Sequence, residues 1–173
     1  YQHNIGKHIV LGDIREIPSS EIPDDPDVVL GGFPCQGFSV NNTKRNMGDE
    51  RNFLYKELMR VIKDKKPKFF VGENVKGLLS MQKGAVIKMI ILDFESLGYK
   101  VDFQVLKASN YGVPQHRERV IIIGNRLDLP NEYPDISHNI APDLFNNEFQ
   151  KPISVKDVVG HLESVRTRDM PFE

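Results

Sequence analysis

The chain of 173 residues holds a single cysteine, Cys35, inside the stretch GGFPCQGFSV (31–40). A lone thiol has two common uses. It is a small buried hydrophobe, or, as a thiolate, a nucleophile. Three further stretches carry groups that a nucleophile could work with: Asp13 in GDI, Glu73 and Asn74 in GENV, and His116, Arg117, Glu118 and Arg119 in QHRER. Cys35, His116 and Glu118 together have the composition of a cysteine hydrolase triad. One feature opposes that reading: Pro34 does not suit the sharp turn that exposes a hydrolase nucleophile. No group of residues has the spacing of a metal site.

The apolar runs that must position these groups alternate in type. HIVLGDI (8–14), DVVLGGF (27–33) and KFFVGEN (68–74) read as short buried strands. NFLYKELMRVIKDKK (52–66) places Phe53, Leu54, Leu58, Val61 and Ile62 at helical spacing, and Pro67 stops it. AVIKMIILDFESLG (85–98) is a second helix with Gly98 as its C-terminal cap. KVDFQVLKA (100–108) alternates with period two, and RVIIIGN (119–125) is another strand. Strands alternating with helices predict a mostly parallel α/β sheet with helices on its faces. The connection between the last two strands is too short for a crossover helix, so they are expected to be antiparallel. From Leu127 the pattern dissolves into an acidic stretch punctuated by Pro130, Pro134, Pro142 and Pro152. It ends in a short helix, SVKDVVGHL (154–162), with Ser154 and Asp157 as its capping box.

Ligands of open α/β sheets bind beyond the carboxyl ends of the parallel strands. Asp13, Cys35, and Glu73 with Asn74 each follow a strand, so they share that edge. The loop SNYGVPQHRE (109–118) enters the same edge if 100–108 is parallel to them. Arg117 and Arg119 then join it, and convergent polar groups of this kind mark a candidate site.

Composition bounds the remaining possibilities. Hydrophobic residues make up 39% and charged residues 27%, as in a globular domain. No apolar run approaches membrane-spanning length. One cysteine excludes an internal disulfide and fits a reducing compartment. The net charge of −1 does not advertise a nucleic-acid partner. Residues 44–68 nevertheless carry nine Lys/Arg against four Asp/Glu, and residues 127–173 carry four against nine.

The four stretches together resemble the cytosine-C5 DNA methyltransferase family. GGFPCQGFS resembles its Pro-Cys-Gln loop, GENV its Glu-Asn-Val motif, and NYGVPQHRERVIIIG its Gln-x-Arg-x-Arg motif, while GDI matches the turn after its third strand. Order and spacing agree over residues 1–126, and KPISVKDVV resembles the lead-in to the family's DNA-recognition region. The resemblance implies a Rossmann-like S-adenosylmethionine-dependent methyltransferase fold, here partial, with one antiparallel strand. Residues 1–126 would be a partial catalytic domain and 127–173 an irregular lead-in to a recognition region.

The same resemblance implies roles for particular residues. Cys35 would add to C6 of a cytosine flipped out of double-stranded DNA. Glu73 would hold N3 and the exocyclic amine. Arg119 would hold O2, with Arg117 at neighbouring phosphate. Asn74 would order the loop, and Pro34 and Gln36 would support it. Asp13, Ile14, Pro34 and Leu54 would contact the cofactor. Ser39, Asn41 and Arg51, in or beside the loop 41–52, would contact DNA. The family's glycine-rich cofactor loop and recognition region would lie outside residues 1–173. Weak cofactor binding and no activity are therefore expected of this chain alone, with self-association or a complementing chain at an exposed sheet edge, or reorganisation of residues 1–25. A restriction-modification enzyme of the bacterial cytoplasm is the expected setting; a eukaryotic one would be nuclear. Two alternatives remain, an RNA cytosine-C5 methyltransferase and the hydrolase above. A catalytically silent module is a third, disfavoured for the parent protein because Cys35, Glu73, Arg117 and Arg119 are all present.

Overall fold

The computed structural model describes residues 3–34, 54–139 and 149–162. Four strands form one sheet: β1 (Val28–Gly32), β2 (Phe69–Val75), β3 (Lys100–Lys107) and β4 (Glu118–Asn125), in the order β1-β2-β4-β3. β1 pairs with β2 in parallel, from Val28↔Phe69 to Gly32↔Glu73. β4 is antiparallel to both of its neighbours. Three strands thus run one way and β4 returns between two of them, as the short connection before it required.

Helices α1 (Tyr55–Lys65) and α2 (Ala85–Glu95) cover one face of the sheet. That face presents Phe70, Val120 and Ile122, which meet Ile62, Ile90 and Phe94 in a core with no exposed surface. Phe70 stacks at 4.5 Å from Phe94 and 5.4 Å from Tyr99, centroid to centroid. Gly124 is required here, because a Cβ at that position would stand 2.1 Å from the Phe70 ring. α1 ends where Lys66 turns left-handed at φ 47° before Pro67. The turn after α2 closes at Gly98, φ 85°, which only glycine adopts without strain. A stretch of 3₁₀ turns, Lys76–Gly84, leads from β2 to α2; its end reverses through Gln82, Lys83 and Gly84, all left-handed.

Among the described residues the opposite face is less covered. The segment after β4 crosses it, anchored by the buried Asn125, whose Nδ2 donates to the Leu129 carbonyl (2.9 Å) and to Asn131 Oδ1 (2.7 Å). The Tyr133 hydroxyl donates to Asp102 on β3 at 2.7 Å. Further along, α3 (Val155–Val159) carries the expected capping box. Asp157 N donates to Ser154 Oγ at 3.2 Å, and Ser154 N to the Asp157 carboxylate at 2.8 Å.

One expected element does not form. Residues 8–14 are irregular, and Leu11 is 99% exposed. A strand needs a neighbour for its backbone groups, and none of the described segments pairs with this one. β1 is correspondingly the last strand of the sheet on its side, with Leu30 76% exposed. Helices on both faces were also expected, whereas α1 and α2 share one.

Candidate active site

Glu73 lies in β2 opposite Ile121 of β4. Arg119 precedes Ile121 by two residues, so alternation puts it on the same face as Glu73, diagonally across the pair. The Arg119 Nε donates to Glu73 Oε1 at 2.8 Å, and Arg117 Nη2 reaches the same oxygen at 3.3 Å. The other carboxylate oxygen, Oε2, faces Gly32 of β1, where a Cβ would lie 3.6 Å away. One acid and two guanidinium groups therefore sit at the end of β2, as the edge argument required. Glu73 and Arg117 are both about half exposed, so the cluster is open to a ligand.

Asn74 points the other way, into the core, and is 2% exposed. Its Nδ2 donates to the Phe33 carbonyl at 3.0 Å, and its Oδ1 accepts from Val75 N at 2.8 Å. It thereby ties the end of β2 to the residue just before Pro34 and Cys35.

Beside this cluster, between β1, α1 and the segment 13–22, lies a cavity of about 410 Å³. Its walls are mainly apolar (Ile14, Ile22, Val29, Leu30, Phe33, Leu54, Leu58 and Val61), with the charged Asp13, Arg15 and Glu57 among them. Small-molecule sites are typically roughly 300–1,000 Å³ and mostly apolar with a few placed polar groups. Asp13, Ile14, Pro34 and Leu54, taken from the sequence as cofactor contacts, all line this one space. Gly32, Phe33 and Pro34 also line it, while Gly32 faces Glu73 on the other side. Gly32 therefore borders both the cavity and the acid–arginine cluster.

Asp13 is not free in this arrangement. Arg15 holds it through Nη2–Oδ2 at 2.6 Å, Nε–Oδ1 at 3.0 Å and its own backbone N–H at 2.9 Å. The side-chain and backbone hydrogen bonds from Arg15 pull the Asp13 pKa down to about 2, so its carboxylate is charged at neutral pH. Arg15 and Glu57 were not singled out in the sequence. The Asp-x-Arg spacing could have flagged the first, whereas Glu57 is hidden among the charges of an amphipathic helix.

The acid of the hydrolase alternative is engaged elsewhere. The Glu118 carboxylate accepts from Lys76 Nζ at 2.9 and 3.0 Å, on the opposite side of the strand from Arg117 and Arg119. Its acid is thus engaged by a lysine rather than by His116. Cys35, Gln36, Ser39, Asn41 and Arg51 lie outside the described residues. Among the described residues no group of His, Cys, Asp and Glu could hold a metal ion, and no helix is long and apolar enough to cross a membrane.

Comparison with known proteins gives a consistent result. The family model for C-5 cytosine-specific DNA methylases matches residues 1–169. Type II methyltransferase M.NgoFVII of Neisseria gonorrhoeae is 47% identical over 142 residues, which is 80% of this chain and 38% of that protein. Type II methyltransferase M.BspRI of Lysinibacillus sphaericus is 42% identical over 167 residues, 94% of this chain and 37% of that protein. The chain therefore spans less than two-fifths of these relatives. Among solved structures, a prophage-encoded DNA modification methyltransferase from E. coli superposes with a TM-score of 0.60 at 29% identity, over 86% of this chain and 40% of that one.

Proposed function

We propose that this chain, which belongs to the C-5 cytosine-specific DNA methylase family, carries the reacting groups of a DNA cytosine-5 methyltransferase of the restriction-modification type, acting in the bacterial cytoplasm. The observation that carries the reading is the division at Gly32, three residues before Cys35 in the sequence, which has an apolar cavity on one side and an acid held by two arginines on the other.

The chemistry follows from that division. Cytosine C5 is a weak nucleophile. A thiolate at Cys35 adds to C6, and the electron pair released into the ring makes C5 an enamine carbon. S-adenosylmethionine, whose adenosyl portion suits the aliphatic walls and carboxylates of the cavity, would supply when bound an electrophilic methyl group for C5, with S-adenosylhomocysteine as the leaving group. A base then removes the C5 proton, the ring regains its double bond, and the thiolate leaves. Glu73 holds N3 and the exocyclic amine, and Arg119 the O2, so the charge that builds on the ring meets preorganised partners. Arg117, more exposed than Arg119, faces phosphate. Asn74 keeps the strand that delivers Pro34 and Cys35 in register with Glu73. The base has to leave the duplex to reach these groups, at a cost of roughly a few kcal/mol. Ser39, Asn41 and Arg51 contact the DNA from which it is flipped, and Gln36 supports the Cys35 loop.

Two further parts belong to this reading. The outer edge of β1 takes a strand from a second copy or from another part of the protein, and the chain alone holds the cofactor weakly.

The test is covalent trapping with the protein as encoded in its genome. DNA bearing 5-fluorocytosine cannot lose the C5 substituent as a proton, so the adduct accumulates. Wild type should form it in the presence of S-adenosylmethionine and Cys35→Ser should not. Glu73→Gln should slow methyl transfer about 10²–10³-fold, the usual effect of removing one preorganised stabilising group. An adduct that survives Cys35→Ser would overturn the assignment.

A further inference from the structure

The segment that brings Asp13 and Ile14 to the cavity has no sheet to hold it. Residues 8–18 are irregular and largely exposed. A cavity wall built from such a segment needs an anchor, and one side chain supplies it. Arg60, on α1, donates from Nη2 to the carbonyls of Ile14 (2.8 Å) and Ile17 (3.0 Å) and from Nη1 to Ser19 Oγ (2.7 Å). Its Nε donates to Glu57 Oε2 at 2.8 Å. Ser19 in turn donates to Asp64, one turn further along the helix, at 2.5 Å. All three guanidinium nitrogens are used, and the two carbonyls they take bracket the turn after Asp13.

We propose that Arg60 is a positioning residue for the cofactor cavity, holding the Asp13–Ile14 turn and Glu57 in place against α1. It does not line the cavity itself, whereas Asp13, Ile14 and Glu57 do. The planar fork of an arginine can meet three separate acceptors while pairing with Glu57; a lysine at this position has one nitrogen and cannot span them. This inference rests on the cofactor reading above. It predicts that loss of Arg60 acts through the fraction of molecules with the turn in place, since apparent affinity falls by that fraction.

Two measurements on the protein as encoded in its genome test it, using Arg60→Gln and Arg60→Lys. Hydrogen exchange of the amides of residues 13–17 reports the turn without any ligand. S-adenosylmethionine titration and steady-state methyl transfer report the cavity. Both variants should exchange these amides at least about tenfold faster while the core amides of β2 and β4 stay protected. Both should weaken cofactor binding about tenfold or more and raise its KM in parallel, with kcat at saturating cofactor within about threefold of wild type. The Glu57→Gln variant, which leaves the three donations to the turn intact, should leave exchange at 13–17 near wild type.

Unchanged exchange at 13–17 in Arg60→Gln would overturn the proposal whatever the binding result. Faster exchange with unchanged affinity would overturn the positioning role. Equal loss of kcat with no change in KM would do the same. If wild type binds no S-adenosylmethionine, the cofactor reading itself fails and the positioning role with it, while the exchange data still separate that failure from absence of the clamp. If Arg60→Gln unfolds, Arg60→Lys and Ser19→Ala, which removes a single acceptor, carry the same comparison.

Discussion

Asn74 offers the sharpest test of how the site is held. Its side chain is 2% exposed and makes two hydrogen bonds of opposite sense, to the Phe33 carbonyl and from the Val75 amide. Asn74→Ala removes both partners at once. Each partly shielded backbone group left without a partner costs about 1–3 kcal/mol, so the variant should lose about 2–6 kcal/mol of stability. That is a large share of the roughly 5–15 kcal/mol available to a domain. Urea unfolding should show a lower midpoint at unchanged slope. Asn74→Asp separates the two bonds. It keeps the acceptor for Val75 but sets a carboxylate against the Phe33 carbonyl. Burial and that carbonyl raise the new acid's folded pKa above its unfolded value of about 3.9. Its penalty is therefore absent below about pH 4 and grows as pH rises toward the folded pKa. Measured against wild type at each pH, Asn74→Asp should be nearly neutral at pH 3.5 and clearly destabilised at pH 7. A loss under about 0.5 kcal/mol for Asn74→Ala, or an Asn74→Asp penalty that does not grow with pH, would refute the reasoning.

Other perturbations test separate parts of the structure. Gly124→Ala would put a methyl group 2.1 Å from the Phe70 ring. Backbone and a buried aromatic stack would have to shift, at a cost of about 1–3 kcal/mol or more, read in the same unfolding assay; a neutral outcome would mean the Phe70–Phe94–Tyr99 stack has room it does not show. The Asp13 carboxyl should titrate in a carbon-detected NMR experiment near pH 2, against an ordinary value of 3.8. Because the folded pKa is depressed, its pairing with Arg15 contributes fully above pH 3.8 and is lost as pH falls through about 2. Arg15→Ala should return the midpoint toward 3.8, and no movement would show that Arg15 is not the cause.

Much of the frame was legible in the chain because it depends on local pattern. The period of Leu58, Val61 and Ile62 against the charges of α1, the stops at Pro67 and Gly98, and the Ser154–Asp157 cap are each written within a few neighbouring residues, and each is present. The antiparallel β4 followed from the length of a connection. The residues 8–14 misled because an apolar β pattern states a preference, whereas a strand exists only if another backbone lies alongside. The Arg60 clamp was invisible for the complementary reason. It joins positions 14, 17 and 19 to position 60, and nothing local marks an arginine whose acceptors are carbonyls more than forty residues away. The Lys76–Glu118 pair is non-local in the same way, and it removes the acid of the hydrolase triad that composition alone left open.

The placement of the arginines shows how topology can select chemistry. A parallel β4 would begin at the far edge of the sheet, and its first residues would stand roughly 25 Å from Glu73 over a strand of this length. The short connection 108–117 forces β4 to start where β2 ends, and Arg117 and Arg119 arrive there with no further device. Alternation then fixes which way they point. Arg117, Arg119 and Ile121 share the face of Glu73, while Val120 and Ile122 fill the core with no exposed surface. A slip of one residue would turn both guanidinium groups into that core and both aliphatic side chains out of it. Burying unpaired charge costs far more than the hydrogen bonds of any alternative register could return. The hydrophobic alternation of RVIIIGN, which reads as a statement about packing, is therefore also what aims Arg119 at Glu73.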